Sequence, residues 1–504
     1  MKNATTAFLD GRVAVGDAER VAIVTPAGAT TYRELLALVN RAGHALRALG
    51  VSPEDRVAML LPDGLEWAAV FFGALRIGAV AVPLNTRLGG SDVVDLLADS
   101  RATVLVTDPE LLAPIARKLD ALPRLKAVVA TRPLPAAHHL AGLLATAPAE
   151  LPPEPVGIEA MAFWLYTSGT TGAPKAAVHV HADLLACRYY GVEVLGASGT
   201  DRVFATSKLF FAYALGNALL IPLFVGAQTY LHPGWGDVDT VTEIMRRIRP
   251  TLFFSVPTFY GRLLAATLPR DTFSSVRCAV SAGERLPPAI YHAFHDRFGL
   301  EILDGMGATE TIFMVLSNRP GASRVGSSGC PVPGTDVRLV DATGGEVTGA
   351  GEGLLQVRTP SASPFYWNRR QQSQRTFFGP WLSTGDLYAR DADGFYHHRG
   401  RADDRFKVAG QWVVPSDIEA VLRTHPGVVD AGVVGAEDAN GLVKPFAFVV
   451  SREPAPDDLP AALADLAERT LPAYQRPRRI FVVSELPRTV TGKLQRFVLR
   501  AQIP

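Results

Sequence analysis

The sequence alternates short apolar runs with longer amphipathic segments, and this order constrains the fold more than any other feature. The strand-like runs include VAIVT, RVAMLLP, VAVPLN, RVFAT, TLFFSVP, RCAVSAG and EILDGMG, and helical patterns such as TYRELLALVNRAGHALRALG and LEWAAVFFGALRIGA lie between them. In the helix that begins near Thr31, apolar residues at three- and four-residue spacing share one face: Leu35, Leu38, Val39, Ala42, Ala45 and Leu46. Repeated strand–helix units predict an α/β protein with mostly parallel, helix-covered sheets.

The domain organisation follows from changes in composition and in the predicted elements along the 504 residues. A chain of this length holds about two to four domains. We predict a large N-terminal domain over residues 1–400, with a small β-rich subdomain at about 326–400, where short strands are punctuated by glycine. A hinge at 401–403 and a small, mobile α+β C-terminal domain at 404–504 follow. Residues 132–156 are rich in Ala, Pro and Leu, and we expect them to form a surface excursion.

Charge and cysteine content exclude several classes of protein. Lys and Arg number 50 against 49 Asp and Glu, so no basic field exists to attract nucleic acid or a membrane surface. The three cysteines lie far apart without a C-x-x-C pair, which argues against a disulfide framework and a cysteine-based zinc site. The first residues lack the apolar core of a secretory signal, so we expect a cytoplasmic protein.

One uncharged segment tests the expectation that no part of the chain enters a membrane. Residues 209–235 contain no Asp, Glu, Lys or Arg, a run long enough to cross a bilayer of ~30 Å as a helix. However, Asn217, Pro222, Gln228 and His232 are spread through it, and no basic cluster flanks one end. We therefore predict a buried helix, a turn near residues 222–226 and a buried strand.

The stretch YTSGTTGAPK, which follows the apolar run MAFWL, carries the strongest chemical signal. Three Thr, one Ser and two Gly stand within six residues, so the backbone can bend tightly while N–H groups and hydroxyls point together. Lys175 adds a positive charge. This composition is typical of a loop that surrounds a polyphosphate, although it lacks the Walker A pattern. The predicted phosphate-loop residues are Thr167, Ser168, Gly169, Thr170, Thr171, Gly172 and Lys175.

This loop resembles the phosphate loop of the adenylate-forming enzymes, which include acyl- and aryl-CoA synthetases, peptide-synthetase adenylation domains and luciferases. Four further motifs follow in the family's order: DGMGATE (residues 304–310), STGD (383–386), GRADDRFKVAGQWVVPSDIE (400–419) and PRTVTGK (487–493). The resemblance extends from about residue 20 to the end. It implies an enzyme that activates a carboxylate with ATP, releases pyrophosphate and passes the acyl group to a thiol.

The resemblance assigns a role to each motif. Lys493 would bridge the substrate carboxylate and the α-phosphate, Thr309 would donate to the α-phosphate, and Glu310 would hold Mg²⁺. Asp386 and Arg401 would contact the ribose, and Asp403 would be the hinge about which the C-terminal domain pivots. The remaining ATP-binding residues that it implies are Ser281, Ala282, Gly283, Glu284, Asp304, Gly305 and Met306.

The segments SKLFFAYALGN, FFSVPTFY and DGMGATETIFMVLSNRPG are similar to the benzoate-CoA and anthranilate-CoA ligase branch. This similarity implies an aromatic acid as substrate, because aromatic and small residues form a slot for a flat ring. The branch often has His at the position of Phe313, so we expect a more apolar pocket that prefers benzoate, then halobenzoates, then five-membered heteroaryl acids. The implied pocket residues are Phe211, Ala212, Tyr213, Phe254, Ala282, Gly307, Phe313 and Met314.

The thiol acceptor is the least determined part of the prediction. KVAGQW resembles the pantetheine tunnel of CoA ligases, with Lys407, Gly410 and Trp412 as its residues. Free CoA is the expected acceptor, and a phosphopantetheine arm on a carrier protein is the alternative. A non-catalytic nucleotide-binding protein of the same fold remains a rival, although it would not need Lys493 or Glu310. The branch also suggests a homodimer.

Overall fold

The computed structural model describes residues 3–167, 174–438, 441–452, 458–488 and 494–503. Its contacts divide the chain into two units. The first contains residues 1–337 and 357–382, and the second contains residues 338–356 and 383–504. The partition groups residues 383–400 with the C-terminal part of the chain, and the hinge at 401–403 stays a prediction.

Two large sheets organise the first unit, and both have parallel centres. The nine-stranded sheet is antiparallel at both edges, whereas the eight-stranded sheet is antiparallel at one edge and parallel at the other. The predicted α/β class is confirmed. The nine-stranded sheet runs in the order Cys330–Pro331, Met314–Ser317, Ile302–Gly307, Cys278–Ser281, Leu252–Ser255, Arg202–Ala205, Gln228–Tyr230, Val21–Thr25 and Gly28–Thr31. The eight-stranded sheet runs in the order Phe365–Tyr366, Lys175–Val180, Met161–Thr167, Val80–Pro83, Arg56–Leu60, Val104–Thr107, Ala127–Ala130 and His138–His139.

Helices connect these strands, and their apolar faces build the core. The α-helices are Thr5–Phe8, Asp10–Arg12, Tyr32–Ala48, Leu65–Arg76, Gly90–Ser100, Pro109–Leu112, Leu140–Thr146, His181–Leu185, Cys187–Gly191, Ala212–Ala214, Ile221–Val225, Val238–Ile248, Pro257–Ala265, Pro288–Phe298 and Arg370–Thr376. Shorter 3-10 turns lie at Ala116–Ala121 and Thr309–Thr311, and π-helical turns at Val13–Asp17 and Leu215–Leu220. One cluster of buried side chains contains members of both sheets and of the helices 32–48, 65–76 and 212–225.

The predicted helix after Thr31 forms with that residue as its N-cap. The Thr31 hydroxyl accepts from the Glu34 N–H, and the Glu34 carboxylate accepts from the Thr31 N–H, which makes a capping box. Leu35, Val39 and Leu46 are fully or nearly fully buried on its inner face. The predicted surface excursion at 132–156 is wrong in part. Its apolar residues at 140–144 form one side of the helix Leu140–Thr146, which packs into the core.

The uncharged segment is a helix followed by a strand, as predicted, but the turn lies later. Helical backbone continues through Pro222 to a left-handed Gly226, and the strand Gln228–Tyr230 follows. Proline has no N–H to bond to the carbonyl four residues earlier, that of Ala218. The Thr229 hydroxyl donates to this carbonyl instead, at 2.5 Å. Within the described residues, no helix combines the length and apolarity needed to cross a bilayer.

The second unit is built from shorter elements. The unit boundaries after residues 337, 356 and 382 fall within strands of a five-stranded sheet. Its strand order is Asp336–Val340, Gly351–Arg358, Trp381–Arg390 and Phe377–Phe378, and Tyr396–Arg401 also pairs with Trp381–Arg390. A hairpin of Phe406–Val408 and Gln411–Val413 follows a 3-10 turn at Ala402–Asp404. The remaining elements are strands Val428–Glu437, Val443–Ser451 and Arg479–Val483, helices Pro415–Leu422, Leu459–Thr470 and Arg496–Ala501, and a 3-10 turn at Ala473–Gln475.

Candidate active site

A strained turn carries the residues predicted to bind phosphate and metal. The strand Ile302–Gly307 leads into the 3-10 turn Thr309–Thr311, after which Ile312 has φ 58° and ψ −56°. The N–H of Phe313 donates to the carbonyl two residues back at 2.6 Å. This is a γ-turn of the rare form, costly for a β-branched residue. At Gly307 a Cβ would lie 2.8 Å from the Phe313 carbonyl oxygen, so only glycine fits the hairpin.

Three consecutive carbonyls of this turn, at residues 309–311, are each held by a donor from elsewhere in the first unit. His179 Nε2 lies 2.9 Å from the first carbonyl oxygen. The N–H of Ser363 donates to the second at 2.7 Å, and the hydroxyl of Ser361 donates to the third at 2.6 Å. The backbone of the turn is therefore fixed from the strand Lys175–Val180 on one side and from residues 361–363 on the other.

Glu310 lies between a cation and a phenol. Lys175 Nζ is 3.8 Å from Glu310 Oε1, and the Tyr366 hydroxyl donates to the same oxygen. The Lys175 ammonium also lies 3.9 Å from the centre of the Tyr366 ring, within the range of a cation–π interaction. The Lys175 and Glu310 side chains are 19% and 14% exposed. A carboxylate and an ammonium thus meet at a partly exposed position, where incoming phosphates and a divalent cation could replace their mutual contact.

The residues predicted to form the phosphate loop stand in the sequence between two strands that pair with each other. Thr167, the last residue of one strand, is the register partner of Lys175, the first residue of the next. The pairing places Lys175 beside Glu310, which is 135 residues away in the sequence. The predicted loop residues Ser168, Gly169, Thr170, Thr171 and Gly172 lie outside the described residues, and so does Lys493.

Residues 255, 281 and 304 are register partners on three neighbouring parallel strands, and the first two are the last residues of their strands. Ligands in α/β sheets commonly bind at such carboxyl ends. Ser281 and Asp304 are buried, and among the described atoms Ser281 Oγ and Asp304 Oδ1 have no hydrogen-bond partner. Burial raises the pKa of Asp304 well above its usual range. Glu284 accepts from the Thr258 hydroxyl at 2.8 Å. The nucleotide-binding roles of residues 281–284 and 304–306 stay predictions.

The predicted acyl-pocket residues lie on elements that meet around the same strand ends. The Tyr213 hydroxyl is 3.0 Å from the Ser255 carbonyl oxygen and 3.1 Å from that of Val280, and its ring meets Phe254 edge-on at 6.2 Å. The structure brings this pair together, and Ala282 is buried directly after one of these strands. Phe211, by contrast, has its ring contact with its neighbour Phe210.

Phe313 is 3% exposed and packs against the helical segment Leu215–Leu220. A Cβ at Gly216 would lie 3.0 Å from Phe313 Cδ1, so the absence of a side chain there makes room for the ring. Met314, also buried, begins the strand that pairs with Gly307. Ala212 starts the same helical region and is 7% exposed. Phe313 thus occupies an apolar position.

In the second unit, Asp386 lies opposite Arg401 in an antiparallel ladder. Arg401 Nη1 donates to the Thr384 carbonyl at 2.7 Å and lies 3.3 Å from Asp386 Oδ2. His398 Nε2 lies 3.3 Å from the other carboxylate oxygen. Asp403, the predicted hinge residue, is 61% exposed and 3.6 Å from Arg401. A carboxylate held from both sides by cationic or polar groups is oriented to accept from a vicinal diol.

The residues predicted for the CoA tunnel form one hairpin. Lys407 and Trp412 are register partners, and Lys407 Nζ lies 4.8 Å from the centre of the Trp412 ring, which is 49% exposed. Gly410 has φ 82°, and a Cβ there would meet nothing within 4 Å. Within this unit, the left-handed backbone accounts for the glycine, and the tunnel role stays a prediction.

Sequence reasoning missed three side chains that contact predicted site residues: Tyr366, His179 and His398. Tyr366 and His179 reach Glu310 and Thr309 from 56 and 130 positions away. No local spacing links such distant positions. His398 could have been suspected, because a hairpin between GDLYAR and YHHRGR places it opposite the ribose motif.

Comparison with known proteins agrees with this arrangement. The AMP-binding enzyme family model matches residues 11–367, and the AMP-binding enzyme C-terminal domain model matches residues 417–493. The chain therefore belongs to the family of AMP-binding enzymes, as the motifs predicted.

The relatives belong to the branch that the sequence indicated. The 3-hydroxybenzoate–CoA ligase of Aromatoleum sp. (strain CIB) is 41% identical, covering 99% of this chain and 96% of that protein. The benzoate–CoA ligase of Thauera aromatica is also 41% identical, with the same coverages. Among solved structures, the anthranilate CoA ligase AuaEII in complex with anthranoyl-AMP has a TM-score of 0.92 at 38% identity, covering 99% of this chain and 96% of that one. The predicted benzoate-CoA and anthranilate-CoA ligase branch is confirmed.

Proposed function

We propose that this chain is an ATP-dependent aryl-acid:CoA ligase of the AMP-forming type. A carboxylate oxygen of the acid attacks the α-phosphorus of ATP, and the bond to the β,γ-pyrophosphate breaks. The CoA thiolate then attacks the carbonyl carbon of the aryl-AMP, and AMP leaves with the electron pair of the anhydride bond. The observation that carries this proposal is the end-to-end similarity, at about 40% identity, to ligases that act on benzoate and hydroxybenzoate.

The geometry supports the first half-reaction. Two anions must meet when a carboxylate attacks a phosphate, so cationic groups at the reacting centre lower the barrier. Lys175 lies at the end of the phosphate-loop strand and beside Glu310. Thr309 presents its side chain from the turn whose carbonyls are held at three points. We propose that both residues bind the phosphates.

Glu310 fits a magnesium ion bound together with ATP. Mg²⁺ commonly binds through one or two carboxylates and the substrate phosphates. Glu310 offers a partly exposed carboxylate whose Oε1 is already oriented by Tyr366. Magnesium would neutralise the charge on the phosphates. The protein's part is to hold the carboxylate in place and to supply Lys175 on the opposite side.

We assign the ribose to Asp386 and Arg401 of the second unit, because the arginine and His398 fix both carboxylate oxygens. Lys493 is proposed to contact the substrate carboxylate and the α-phosphate. If this is so, Lys493→Ala abolishes adenylation far more than it slows thioester formation from preformed aryl-AMP. An equal loss in both half-reactions, measured in single-turnover experiments, would refute the role given to the lysine.

For the acid, we propose benzoate and apolar ring derivatives as the preferred substrates. Phe313 is buried against Gly216, and Tyr213 directs its hydroxyl proton at backbone carbonyls, so neither side chain offers a hydrogen-bond donor to a ring substituent. Halobenzoates and five-membered heteroaryl acids follow in order of expected preference. We further propose a cytoplasmic homodimer, which light scattering on the purified protein tests.

The experiment is AMP release by the purified protein with ATP, Mg²⁺ and a panel of aryl and short alkyl acids, with and without CoA. Turnover with benzoate-like acids that requires CoA supports the proposal. Pyrophosphate exchange without CoA-dependent turnover points to a carrier-protein phosphopantetheine as the acceptor. Absence of both reactions with every acid, while ATP binding persists, would indicate the non-catalytic alternative.

A further inference from the structure

His179 is fully buried at the end of the strand Lys175–Val180, and it contacts the turn that carries Thr309 and Glu310. Its Nε2 lies 2.9 Å from the Thr309 carbonyl oxygen, and its Nδ1 lies 2.9 Å from Asp183 Oδ2. Asp183 is also buried, and the same Oδ2 accepts from the Val180 N–H at 3.1 Å. The ring therefore links a carboxylate to the backbone of the proposed reactive turn.

The two neighbours of the ring determine what the ring must donate. A backbone carbonyl can only accept, and a carboxylate that already accepts from an N–H can also accept from Nδ1. Burial raises the pKa of Asp183. If its carboxyl group is protonated, the O–H can donate to Nδ1 of a neutral ring, and if it is ionised, Nδ1 itself must carry a proton. In both cases the contact with the Thr309 carbonyl is favourable only when Nε2 carries a proton. The Phe163 ring stacks on the imidazole, with the ring centroids 4.9 Å apart.

The neighbouring His181 shows that burial alone does not create this arrangement. Its Nδ1 accepts from the Ala4 N–H at 3.2 Å, so that nitrogen has no proton. Burial lowers the pKa of His181 to about 4, which keeps its ring neutral. Two buried histidines, two residues apart, thus have different hydrogen-bond partners, and His179 differs from His181 in its contact with Asp183.

We propose that Asp183 and His179 form a positioning pair for adenylation: Asp183 orients the ring through Nδ1, and Nε2 donates to the Thr309 carbonyl, which holds the turn in its reactive geometry. This inference rests on the proposed function, since it gives the turn its role. His179 touches no substrate in this account. It acts through the backbone that aims the Thr309 hydroxyl and the Glu310 carboxylate.

An NMR experiment tests which ring nitrogens of His179 carry protons, and it does not require enzyme turnover. In protein labelled with ¹⁵N-histidine and measured near neutral pH, the His179 ring is assigned by its absence from the spectrum of His179→Phe. We expect Nε2 of His179 to be protonated, and Nδ1 of His181, as internal reference, to be unprotonated. An unprotonated Nε2 in His179 would overturn the proposal.

Variants test the positioning role. His179→Phe keeps a ring against Phe163 but removes the hydrogen bond to the Thr309 carbonyl, and we expect the adenylation kcat to fall about 10- to 100-fold, the effect of leaving a buried carbonyl without its donor. The KM for benzoate should stay unchanged. Asp183→Asn should also lower the rate although His179 is present, because the amide can either donate to Nδ1 or accept from it and no longer selects the ring form with a proton on Nε2. His179→Gln, whose amide can donate to the Thr309 carbonyl, should recover most of the rate.

His181→Gln is the matched control, because it makes the same substitution at a buried histidine that contacts Ala4 rather than the turn. Thermal unfolding of each variant identifies loss of fold. Full adenylation by both His179→Phe and Asp183→Asn would refute the positioning role even if Nε2 is protonated. If the wild-type protein adenylates no aryl acid, the proposed function fails, while the ring-nitrogen result is still obtained.

Discussion

The contact of Tyr366 with both charges of the proposed phosphate and metal site leads to a quantitative prediction. Tyr366 is 2% exposed and donates its hydroxyl to Glu310, while its ring faces the Lys175 ammonium. Tyr366→Phe removes the hydroxyl and keeps the ring. A hydrogen bond to a charged group contributes about 1.5–3 kcal/mol. If the contact orients Glu310 in the transition state, its loss slows adenylation about 10- to 150-fold, since 1.36 kcal/mol corresponds to tenfold.

The assay is benzoate-dependent pyrophosphate exchange, measured over a range of Mg²⁺ concentrations. We expect Tyr366→Phe to lower the maximal rate and to raise the Mg²⁺ concentration for half-maximal rate, because Glu310 becomes less well oriented. Tyr366→Leu should also raise the KM for ATP, because Lys175 then loses the aromatic face, a contact of about 0.5–2 kcal/mol.

Tyr32→Phe is the matched control for the loss of a buried phenolic hydroxyl. Tyr32 is fully buried and donates to the Ala227 carbonyl at 2.7 Å, a neutral acceptor on another element. Its loss should reduce stability by about 1 kcal/mol without changing the Mg²⁺ dependence. If Tyr366→Phe shows the same Mg²⁺ dependence and rate as the wild type, the hydroxyl does not orient Glu310 and the reasoning is refuted.

Three further predictions concern the pocket and the fold. Phe313→His should raise activity toward hydroxy- and aminobenzoates relative to benzoate in an acid panel, and an unchanged profile would remove Phe313 from the pocket. Arg76 is 3% exposed, and its guanidinium donates two hydrogen bonds to the Asp10 carboxylate at 2.8 and 2.9 Å. Asp10→Ala should therefore lower the free energy of unfolding in urea by about 3 kcal/mol, because a buried guanidinium loses its carboxylate, and an unchanged stability would contradict this. Burial raises the pKa of Asp63 from 3.8 to about 6, so the folded state binds the carboxyl proton more tightly than the unfolded state does. The stability that this proton contributes is therefore fully present below about pH 4 and is lost as the pH rises through 6. The stability of Asp63→Asn should therefore improve relative to wild type between pH 4 and 6, and a constant difference would refute the shift.

Local sequence signals were sufficient for much of the fold. A capping residue, a periodic apolar face and a following glycine define the helix after Thr31, and all three signals act within one turn of the residues they govern. The strand before the predicted phosphate loop and the strand before Glu310 were predicted in a similar way, from the apolar runs MAFWL and EILDGMG. The resemblance of the motifs to those of the adenylate-forming enzymes then indicated which residues we propose for the site.

Two misjudged segments show where local signals fail. The composition of residues 132–156 predicted exposure, but Leu140 and Leu144 are spaced to bury one side of a short helix against the core. Pro222 predicted a turn, because a proline leaves a carbonyl unbonded within a helix. The donor that satisfies that carbonyl, Thr229, lies beyond the end of the helix, and no helical pattern could have identified it.

The contacts that fix the proposed reactive turn were equally inaccessible to sequence reasoning. His179, Ser361 and Ser363 approach it from two segments that are about 180 residues apart. Each is an ordinary residue in its own segment, and its partner is a backbone carbonyl, which carries no sequence signature. Motifs therefore identified the side chains proposed to contact substrate, whereas the groups that hold their backbone emerged from the three-dimensional arrangement.

If Phe313 lines the acyl pocket, as proposed above, the γ-turn at Ile312 limits how the substrate range of this protein can be altered. Phe313 follows a residue in a costly backbone conformation and precedes a strand paired on both sides. The loop cannot slide by a residue to enlarge or reshape the pocket without breaking that pairing. A change of acid would have to come from side-chain volume at a fixed backbone, by exchange between Phe313 and the helix position Gly216. Libraries that vary this pair together should yield folded enzymes with new preferences, whereas insertions in residues 308–313 should yield unfolded or inactive chains.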